Sequence, residues 1–365
     1  MGAAGSIVLA GAAYYLSTDK KNFVRGDSRI NTSGKIPLTD DERIILYLAS
    51  LAPSGHNTQP WLVKYIEPYH WIICNDRSKW LVGVDPTQRE TILSIGAFLQ
   101  NLEYAADSLK YDCQFTILAT TRQDEDFVEV RLSRSIHTKI FDIQKIEQRR
   151  TVRSNYSSET LRKEDISFLV GADTEFIQFI PNSSKEHQWL NEQTIEANKI
   201  QAYRDDAERE LADWIRFSSK DAKAHCDGLT PASMEIEGVQ AWYLRNFYGK
   251  SDVMKTAFRN SSIETVIKQV SQSAGWLIIR SRDESVVSLL ETGKLFQRLL
   301  LKIRERNIAI HPMTQILEES VIQEKISAGI GNSGNIQFIL RTGYIKQYPK
   351  PVSLRRPIEE FVRKV

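Results

Sequence analysis

Hydrophobic residues recur along the chain with two periods, one typical of helices and one typical of strands. After Thr39, Ile45, Leu48 and Leu51 follow helical spacing, and Glu42 stands three residues beyond Thr39, as in a capping box. The elements predicted for the first half are this helix, which ends before residue 53, strands over 61–66 and 71–74, a helix over 87–110, and strands near 114–119 and 127–132.

The second half repeats this order of elements more weakly. Residues 218–248 are rich in aromatic side chains and are predicted to be irregular. The other elements predicted here are a helix over 161–169, a strand over 175–180, a polar helical stretch over 185–217, a strand over 273–280, a helix over 286–306, a strand over 334–342 and a short helix over 357–363.

One internal match connects the two halves. Residues 96–102 (GAFLQNL) and 293–299 (GKLFQRL) share Gly, Gln and Leu at the same spacing, each within a long predicted helix that leads into a strand. We interpret the match as a duplication. The sequence therefore predicts an α+β fold of two tandem halves, residues 36–140 and 141–365, packed together as a pseudo-dimer.

The first residues differ from the rest of the chain. Residues 1–16 (MGAAGSIVLAGAAYYL) are apolar and uncharged, and a polar linker follows over 17–35. The run is short for a membrane span and is typical of the apolar part of a secretory signal or anchor, although the charged residues that usually precede it are missing. The alternative is an apolar helix docked on the body or on a partner. A signal or anchor predicts a periplasmic or membrane-anchored protein, and otherwise a cytoplasmic one.

Composition narrows the classes of function. The 365 residues carry 48 basic and 46 acidic side chains, so a net charge of +2 gives no field that favours nucleic acid. Three cysteines without CxxC spacing argue against a disulfide framework, and six scattered histidines argue against a metal site.

The first candidate motif is the polar loop over 53–61 (PSGHNTQPW), between a predicted helix and a predicted strand. Ser54, Asn57 and Gln59 offer hydrogen-bond donors and acceptors, and Gly55 lets a ligand approach the backbone. Such a loop suits a planar heterocycle with polar edges. A simple Asx or Ser/Thr turn that joins helix to strand is the commoner explanation of these residues alone.

The second motif is basic and covers residues 147–153 (EQRRTVR). Arg149, Arg150 and Arg153 could bind a phosphate monoester through paired guanidinium donors, and the Thr151 hydroxyl could add one hydrogen bond. The alternative is a solvated basic turn, which is the commoner fate of such a cluster.

A third motif, residues 353–357 (SLRRP), could supply further phosphate ligands through Arg355 and Arg356. The alternative is a surface tail, with Pro357 at the start of the last short helix.

The fourth motif, residues 309–315 (AIHPMTQ), directly follows the long second-half helix. Pro312 breaks regular structure there and leaves the following backbone N–H groups, such as those of Thr314 and Gln315, to be aimed at a ligand. The alternative is an ordinary connector.

Together the four motifs resemble the FMN-dependent nitroreductase family, most closely its tandem-fused, Acg-like branch. The loop over 53–61 resembles the flavin loop of that branch, and RRTVR over 149–153 resembles the phosphate motif of the family. Residues 337–344 (QFILRTGY) followed by SLRRP resemble its C-terminal signature. The resemblance spans roughly residues 38–362.

The resemblance implies where the cofactor binds. In simple nitroreductases each FMN lies at a homodimer interface, with the arginine motif from one subunit and the loop from the other. Because each motif occurs once here, in opposite halves, the resemblance implies one FMN site per chain and a monomer.

It also implies a role for each matched residue. Arg149 and Thr151 would bind the phosphate and ribityl chain, and Arg150 would contribute mainly backbone contacts. The implied catalytic groups are the backbone N–H of Thr314, which would contact flavin N5, and Arg153, which would stabilise the anionic reduced flavin near its N1–O2 edge. The remaining implied cofactor contacts are Ser54, Gly55, Asn57, Gln59, Gln315, Arg355 and Arg356.

The function that this resemblance implies is two-electron transfer from NAD(P)H through FMN to a nitro compound, a quinone or a similar small-molecule acceptor. An FMN-storing protein with little turnover is the alternative, and a flavin-free structural protein is a third. The segment 214–248 is predicted to cover the flavin as a lid through its aromatic side chains. No nucleic-acid partner is expected, and membrane association is expected only through residues 1–16.

Overall fold

The computed structural model describes residues 18–27, 36–136, 141–331 and 334–365. The apolar segment over 1–16, and residues 17 and 28–35 of the linker, lie outside the described residues. Within those ranges, helices pack with two separate sheets, and this confirms the predicted α+β class.

Helices and strands are labelled separately in chain order. The helices are α1 (Asp40–Ser50), α2 (Arg89–Ser108), α3 (Gln144–Gln148), α4 (Lys163–Val170), α5 (Lys185–Tyr203), α6 (Asp205–Trp214), α7 (Ser219–His225), α8 (Gly238–Phe247), α9 (Lys250–Val253), α10 (Thr256–Val270), α11 (Val286–Lys302), α12 (Gln315–Glu318), α13 (Ser320–Gln323), α14 (Ile326–Ile330) and α15 (Ile358–Phe361). The strands are β1 (Trp61–Glu67), β2 (His70–Asn75), β3 (Tyr111–Ile117), β4 (Asp126–Arg134), β5 (Ile177–Pro181), β6 (Gly275–Ser281), β7 (Ile308–Pro312), β8 (Asn335–Tyr344) and β9 (Val362–Lys364). Short 3₁₀ turns occur at Arg25–Asp27, Gly55–Asn57, Arg77–Lys79 and Ile303–Arg306.

The first helix begins as its sequence predicts. The Thr39 hydroxyl accepts from the Glu42 backbone N–H at 3.2 Å, and the Glu42 carboxylate accepts from the Thr39 N–H at 2.7 Å. Glu42 is buried, and its carboxylate tolerates burial because it also accepts hydrogen bonds from the Trp71 indole and the Tyr69 backbone N–H. This capping box fixes the start of α1, and its end leads directly into the loop that begins at Pro53.

The first half builds a sheet in the order β3-β4-β2-β1-β9, in which β9 from the end of the chain lies parallel to β1. Val362 pairs with Val63 and is buried. The helix predicted over 357–363 was therefore wrong in its second part, because β1 offers an unpaired edge that a continuous strand satisfies better than a short helix can.

The second half builds an antiparallel sheet in the order β5-β6-β8-β7. The connector considered for residues 309–315 is in its first part the edge strand β7, which pairs with β8. Pro312 ends this edge strand, where its missing N–H leaves no partner in the sheet unsatisfied.

The two halves meet where α2 crosses α11 at a pair of glycines. A Cβ on Gly96 would lie 2.2 Å from the backbone oxygen of Leu290, and one on Gly293 would lie 2.1 Å from a backbone oxygen of α2. Nearby, the Gln297 amide donates to Asn101 Oδ1 at 2.6 Å. The residues of the internal match therefore lie where the two halves contact each other, and both the duplication and the pseudo-dimer arrangement stay predictions.

The region between α6 and β6 differs most from the expectation. Residues 218–248 were predicted to be irregular but contain α7 and α8, and α10 was not predicted. In α8 the apolar residues Val239, Tyr243 and Phe247 recur every four positions, yet they are 79%, 50% and 44% exposed, so they mark no buried stripe. None of the helices in the described ranges is long and apolar enough to cross a membrane.

Candidate functional site

A cleft of about 520 Å³ lies where the two halves meet. Its walls come from the loop after α1, from α2, from the β7–α12 connection and from α5 and α10. The predicted site residues that line it are Ser54, Gly55, Thr151, Arg153, Thr314 and Gln315. Those that lie outside its lining are Asn57, Gln59, Arg149, Arg150, Arg355 and Arg356.

The loop Ser54–Gln59 has an unusual backbone. His56, Asn57 and Gln59 have φ values of 46°, 57° and 56°, in the left-handed region that non-glycine residues rarely adopt. The Ser54 hydroxyl accepts from the Gln59 N–H at 3.0 Å. Such a conformation persists only where surrounding contacts hold it, and here it turns the backbone of Ser54 and Gly55 toward the cleft.

Two amides of this loop hold it in place. The Asn57 side chain donates to the backbone oxygens of Gly228 at 3.1 Å and Leu354 at 3.2 Å. The Gln59 side chain donates to the Cys226 oxygen at 3.1 Å. Both amides therefore fasten the loop to second-half segments, and their implied contacts with a flavin stay predictions.

Arg356 supports the same loop from behind. Its guanidinium donates to the backbone oxygens of Gln59 at 2.6 Å and Trp61 at 2.7 Å, and it lies 3.5 Å from the Asp76 carboxylate. Because a carboxylate already balances its charge, Arg356 is a weaker candidate for a phosphate ligand than its neighbour Arg355.

Arg149 and Arg355 converge on the end of α1. Each donates to the Leu51 backbone oxygen at 3.1 Å, and Arg355 also donates to the Ala52 oxygen at 3.0 Å. Both are buried, and among the described residues no carboxylate forms an ion pair with either. Arg25, from the first described segment, adds a third positive charge nearby. We call these three residues the arginine cluster.

Burial and mutual repulsion act together on the arginine cluster. Burial, and then the charges of Arg25 and Arg153, lower the pKa of Arg149 to about 9. Burial, and then the charges of Arg149 and Arg25, lower the pKa of Arg355 well below its usual range. An anion bound among these side chains would balance their positive charges and would raise the pKa values of both Arg149 and Arg355.

The other two arginines of the basic motif share one carboxylate. Arg150 lies 3.5 Å from Glu235, which also accepts from the Arg153 backbone N–H at 3.0 Å. The Arg153 guanidinium donates to the Ser233 oxygen at 2.8 Å and lines the cleft beside Thr151. Arg153 is therefore positioned to meet a ligand, whereas Arg150 supports the segment around Glu235.

Another wall of the cleft is formed where β7 runs into α12. Thr314 and Gln315 line the cleft there with His311. The Thr314 backbone N–H forms no hydrogen bond with another described residue. Three buried side-chain atoms at the cleft also have no hydrogen-bond partner in the described structure, namely His311 Nδ1, Gln315 Oε1 and Asn198 Oδ1. Unpartnered buried polar atoms are rare, so they indicate a ligand with a polar edge.

Acidic side chains also line the cleft. Glu90 and Glu318 both line it, and Asp85 lies at the start of α2 beside Glu90. Burial, and then the charge of Glu90, raise the pKa of Asp85 to about 7 and the pKa of Glu318 well above its usual range. We call Asp85, Glu90 and Glu318 the acidic group.

The segment 214–248 contributes to the cleft in a way that differs from the prediction. Its contributions to the lining are the aliphatic side chains Ile215, Leu229, Met234 and Ile236. Its aromatic side chains lie outside the lining and pack on one another, for example Tyr243 against Phe247 at 5.1 Å between ring centroids. A lid built from stacked aromatic rings was therefore wrong, because these rings form a satellite cluster, and gating by the segment stays a prediction.

Several residues at the site escaped the sequence analysis. Arg25 lies outside every motif, Glu90 falls within the predicted helix over 87–110, and Glu318 falls just beyond the motif over 309–315, where no element was predicted. Only the fold brings them beside the loop and the basic motif. His311 belonged to a recognised motif, but nothing in the sequence showed that its Nδ1 would be left without a partner.

Comparison with known proteins gives a consistent class. No protein-family model matches the chain. The chain is 23% identical over 343 residues to the Mycobacterium tuberculosis protein named "Putative NAD(P)H nitroreductase acg". This alignment covers 88% of this chain and 95% of that protein. The chain is 21% identical over 326 residues to "Probable NAD(P)H nitroreductase PigM" of a Serratia species, covering 84% and 89%. The resemblance to nitroreductases, first drawn from four motifs, is confirmed.

Solved structures match more weakly. The FMN-dependent nitroreductase NfnB from Mycobacterium smegmatis, solved with NADPH, aligns with a TM-score of 0.34 and 15% identity, over 60% of this chain and 96% of that one. A nitroreductase-like protein from Bacillus cereus aligns with a TM-score of 0.32 and 13% identity, over 63% and 99%. Scores this low do not by themselves establish a common fold.

Proposed function

We propose that this protein is an FMN-binding oxidoreductase of the nitroreductase type, which uses NAD(P)H to reduce a nitro compound, a quinone or a similar small acceptor. The observation that carries the proposal is the arginine cluster. Arg149 and Arg355 are buried beside the cleft, and in the part of the chain that the structure describes neither has a carboxylate partner. A guanidinium in that position needs an anion, and a phosphate monoester supplies two charges and several acceptor oxygens.

The arginine cluster lies beside the part of the cleft that Pro53 and Ser54 line. Arg149 and Arg355 bond to Leu51 and Ala52, directly before Pro53 and Ser54, which line the cleft. Thr151 lies two residues from Arg149 and also lines it. A cofactor phosphate held by the cluster would therefore leave the Thr151 hydroxyl and the Ser54–Gly55 backbone within reach of the ribityl chain.

The part of the cleft that is lined by Arg153, Thr314 and His311 suits the edge of a flavin ring. Arg153 offers a positive charge, and the Thr314 N–H, Gln315 Oε1 and His311 Nδ1 offer unpartnered polar atoms. When bound, FMN supplies reversible two-electron chemistry that side chains lack. This chain's own residues would bind and orient the cofactor, place a charge at its edge and exclude water.

Water exclusion also supports the second candidate, an FMN-storing protein with little turnover. The side chains of Ile215, Leu229, Met234 and Ile236 cover one side of the cleft. Their segment is fastened to the flavin loop through Gly228 and Cys226. A cover held this firmly would retain a cofactor and slow the entry of NAD(P)H.

Two measurements test the proposal. Flavin released from fully loaded, denatured protein should correspond to one FMN per chain, because each motif occurs once; two per chain would contradict the pseudo-dimer with one site. Loaded protein should then be mixed with NADPH or NADH without oxygen. Rapid bleaching of the flavin followed by reoxidation with a quinone supports the enzyme. Bleaching by dithionite but not by either nucleotide favours storage, and failure to bind FMN contradicts both.

A further inference from the structure

Glu318 is a partly buried carboxyl group in the wall of the cleft, at the end of α12. Its Oε1 accepts from the Thr314 hydroxyl at 3.0 Å, and its Oε2 accepts from the Gln201 side chain on α5. No ion pair to Glu318 occurs among the described residues. A carboxylate buried without a cation is costly, and such a group commonly keeps its proton instead.

The surroundings favour the protonated form further. Glu90, on α2, faces Glu318 with a second negative charge, and it is Glu90 that holds the nearest cation, Arg89, at 2.9 Å. Arg89 also donates to the Gln337 backbone oxygen at 2.7 Å. Burial, and then the charge of Glu90, raise the pKa of Glu318 more than the hydrogen bonds from Gln201 and Thr314 and the charge of Arg89 lower it.

The neighbouring residue shows that this arrangement is specific to one position. Glu319 follows Glu318 directly and is also buried, but it lies outside the lining of the cleft and pairs with Arg204 at 3.0 Å. Two consecutive glutamates therefore have different environments. One is balanced by a cation outside the cleft, and the other is held in the cleft by neutral donors from Thr314 and Gln201.

We propose that Glu318 is a catalytic acid, which donates a proton to the acceptor while the acceptor is reduced in the cleft. The inference rests on the proposed function and adds a residue to it. Reduction by NAD(P)H delivers two electrons and one proton as a hydride equivalent, so a nitro or quinone oxygen needs one further proton. The Glu318 O–H bond breaks, an O–H bond forms on the acceptor, and solvent restores the proton to Glu318. A quinone thereby becomes a hydroquinone, whereas a nitro group then breaks an N–O bond and loses water to become a nitroso group.

The position of Glu318 suits this step. Thr314, whose hydroxyl bonds to the carboxyl, is also the residue whose backbone N–H is implied to meet the reactive edge of the flavin. The two histidines and the arginine that line the cleft are poorer proton donors. Burial lowers the pKa of His56 to about 4 and the pKa of His311 well below its usual range, so both rings are neutral near pH 7. Arg153 keeps its proton at that pH.

The test is Glu318→Gln, which preserves the size of the side chain and can keep both hydrogen bonds but cannot donate a proton as an acid. Reduction of bound FMN by NAD(P)H should proceed at the wild-type rate without oxygen. Transfer from the reduced protein to a quinone should slow by roughly 10²–10⁴-fold. Wild-type transfer should also decline at high pH as Glu318 ionises, and this decline should disappear in the variant.

Glu319→Gln is the matched control, because it removes an adjacent carboxyl that faces Arg204 rather than the cleft. It should leave the rate of transfer and its pH dependence unchanged. If the Glu318→Gln variant reduces the quinone at the wild-type rate, or shows the same decline at high pH, the proposal is overturned. It is also overturned if the variant slows both FMN reduction and quinone reduction equally and has a lower melting temperature, because that pattern indicates a structural role.

A second readout does not need the cofactor. The infrared spectrum of the FMN-free wild-type protein minus that of Glu318→Gln should show the carbonyl stretch of a protonated carboxylic acid at neutral pH. Absence of this band would overturn the inference even if FMN binding and reduction proceed as proposed. If the band is present but the wild-type protein binds no FMN, the proposed function fails, and the catalytic role fails with it.

Discussion

The arginine cluster and the acidic group are two parts of one site that contain side chains of opposite kind. Within the described ranges, Arg149 and Arg355 are buried against backbone carbonyls with no carboxylate in an ion pair, and the partly buried Glu318 is bonded to neutral donors with no cation in an ion pair. Burial shifts their pKa values in opposite directions, down for the arginines and up for the acid. In each case the charged form is the one that burial penalises.

The consequences differ because the two kinds of group can respond differently. A carboxyl group relieves the penalty by keeping a proton within the ordinary range of pH. A guanidinium retains its charge in nearly all proteins, so only an outside anion can balance it. The arginine cluster therefore indicates a ligand, and the acidic group indicates a reservoir of protons.

The largest expected effect is on the arginine cluster. Arg149→Ala should weaken FMN binding by about 2–4 kcal/mol, because it removes a buried partner of the phosphate. Riboflavin, which lacks the phosphate, should bind the variant and the wild type nearly equally. Isothermal titration of both ligands into both proteins measures the difference.

Arg150→Ala is the matched control, since Arg150 lies next in sequence but is paired with Glu235. It should weaken FMN binding much less than Arg149→Ala does. Equal losses for FMN and riboflavin in Arg149→Ala would show that Arg149 acts through the fold. In that case the arginine cluster would not be a phosphate site, and its proposed difference from the acidic group would be lost.

The sequence predicted the loop, the basic motif and the long helices because each is local. The Thr39 capping box, the glycines at 96 and 293 and the loop residues 53–61 can be recognised within a few positions. The sequence could not show which arginines have a carboxylate partner, since Arg150 and Arg149 are adjacent and differ only in what the fold places beside them. It missed the acidic group for the same reason, because Glu318 and Glu90 are 228 positions apart.

The next effect in size concerns Asp85, whose carboxyl accepts from the Thr91 backbone N–H at 3.0 Å. Its folded pKa of about 7 lies above that of an unfolded aspartate. Between about pH 4 and pH 7 the folded state therefore binds more protons than the unfolded state, and the free energy of unfolding falls as the pH rises. Below that range the stabilisation is fully present.

Asp85→Asn keeps an acceptor for Thr91 but removes the titration. The decline of unfolding free energy between pH 4 and pH 7 should become shallower, by about 1–2 kcal/mol over the range. Urea denaturation at several pH values measures it. Asp124→Asn is a useful control because hydrogen bonds with Thr121 lower the pKa of exposed Asp124 to about 2, so its effect should be confined to more acidic solution. An unchanged slope in Asp85→Asn would show that Asp85 ionises normally.

The smallest expected effect returns to the arginine cluster and uses inorganic phosphate alone. An anion that binds only the folded state stabilises it by RT ln(1 + [L]/Kd), which is about 1.4 kcal/mol at ten times Kd. Phosphate should therefore raise the melting temperature of FMN-free protein more than sodium chloride does at equal ionic strength.

Phosphate also stabilises proteins generally by exclusion from their surface, so the comparison needs a variant. Protein with both Arg149→Ala and Arg355→Ala should keep only that general rise, while Arg150→Ala should keep the full response. If the double variant gains as much from phosphate as the wild type, the buried arginines do not form an anion site, and their unbalanced charge needs another explanation.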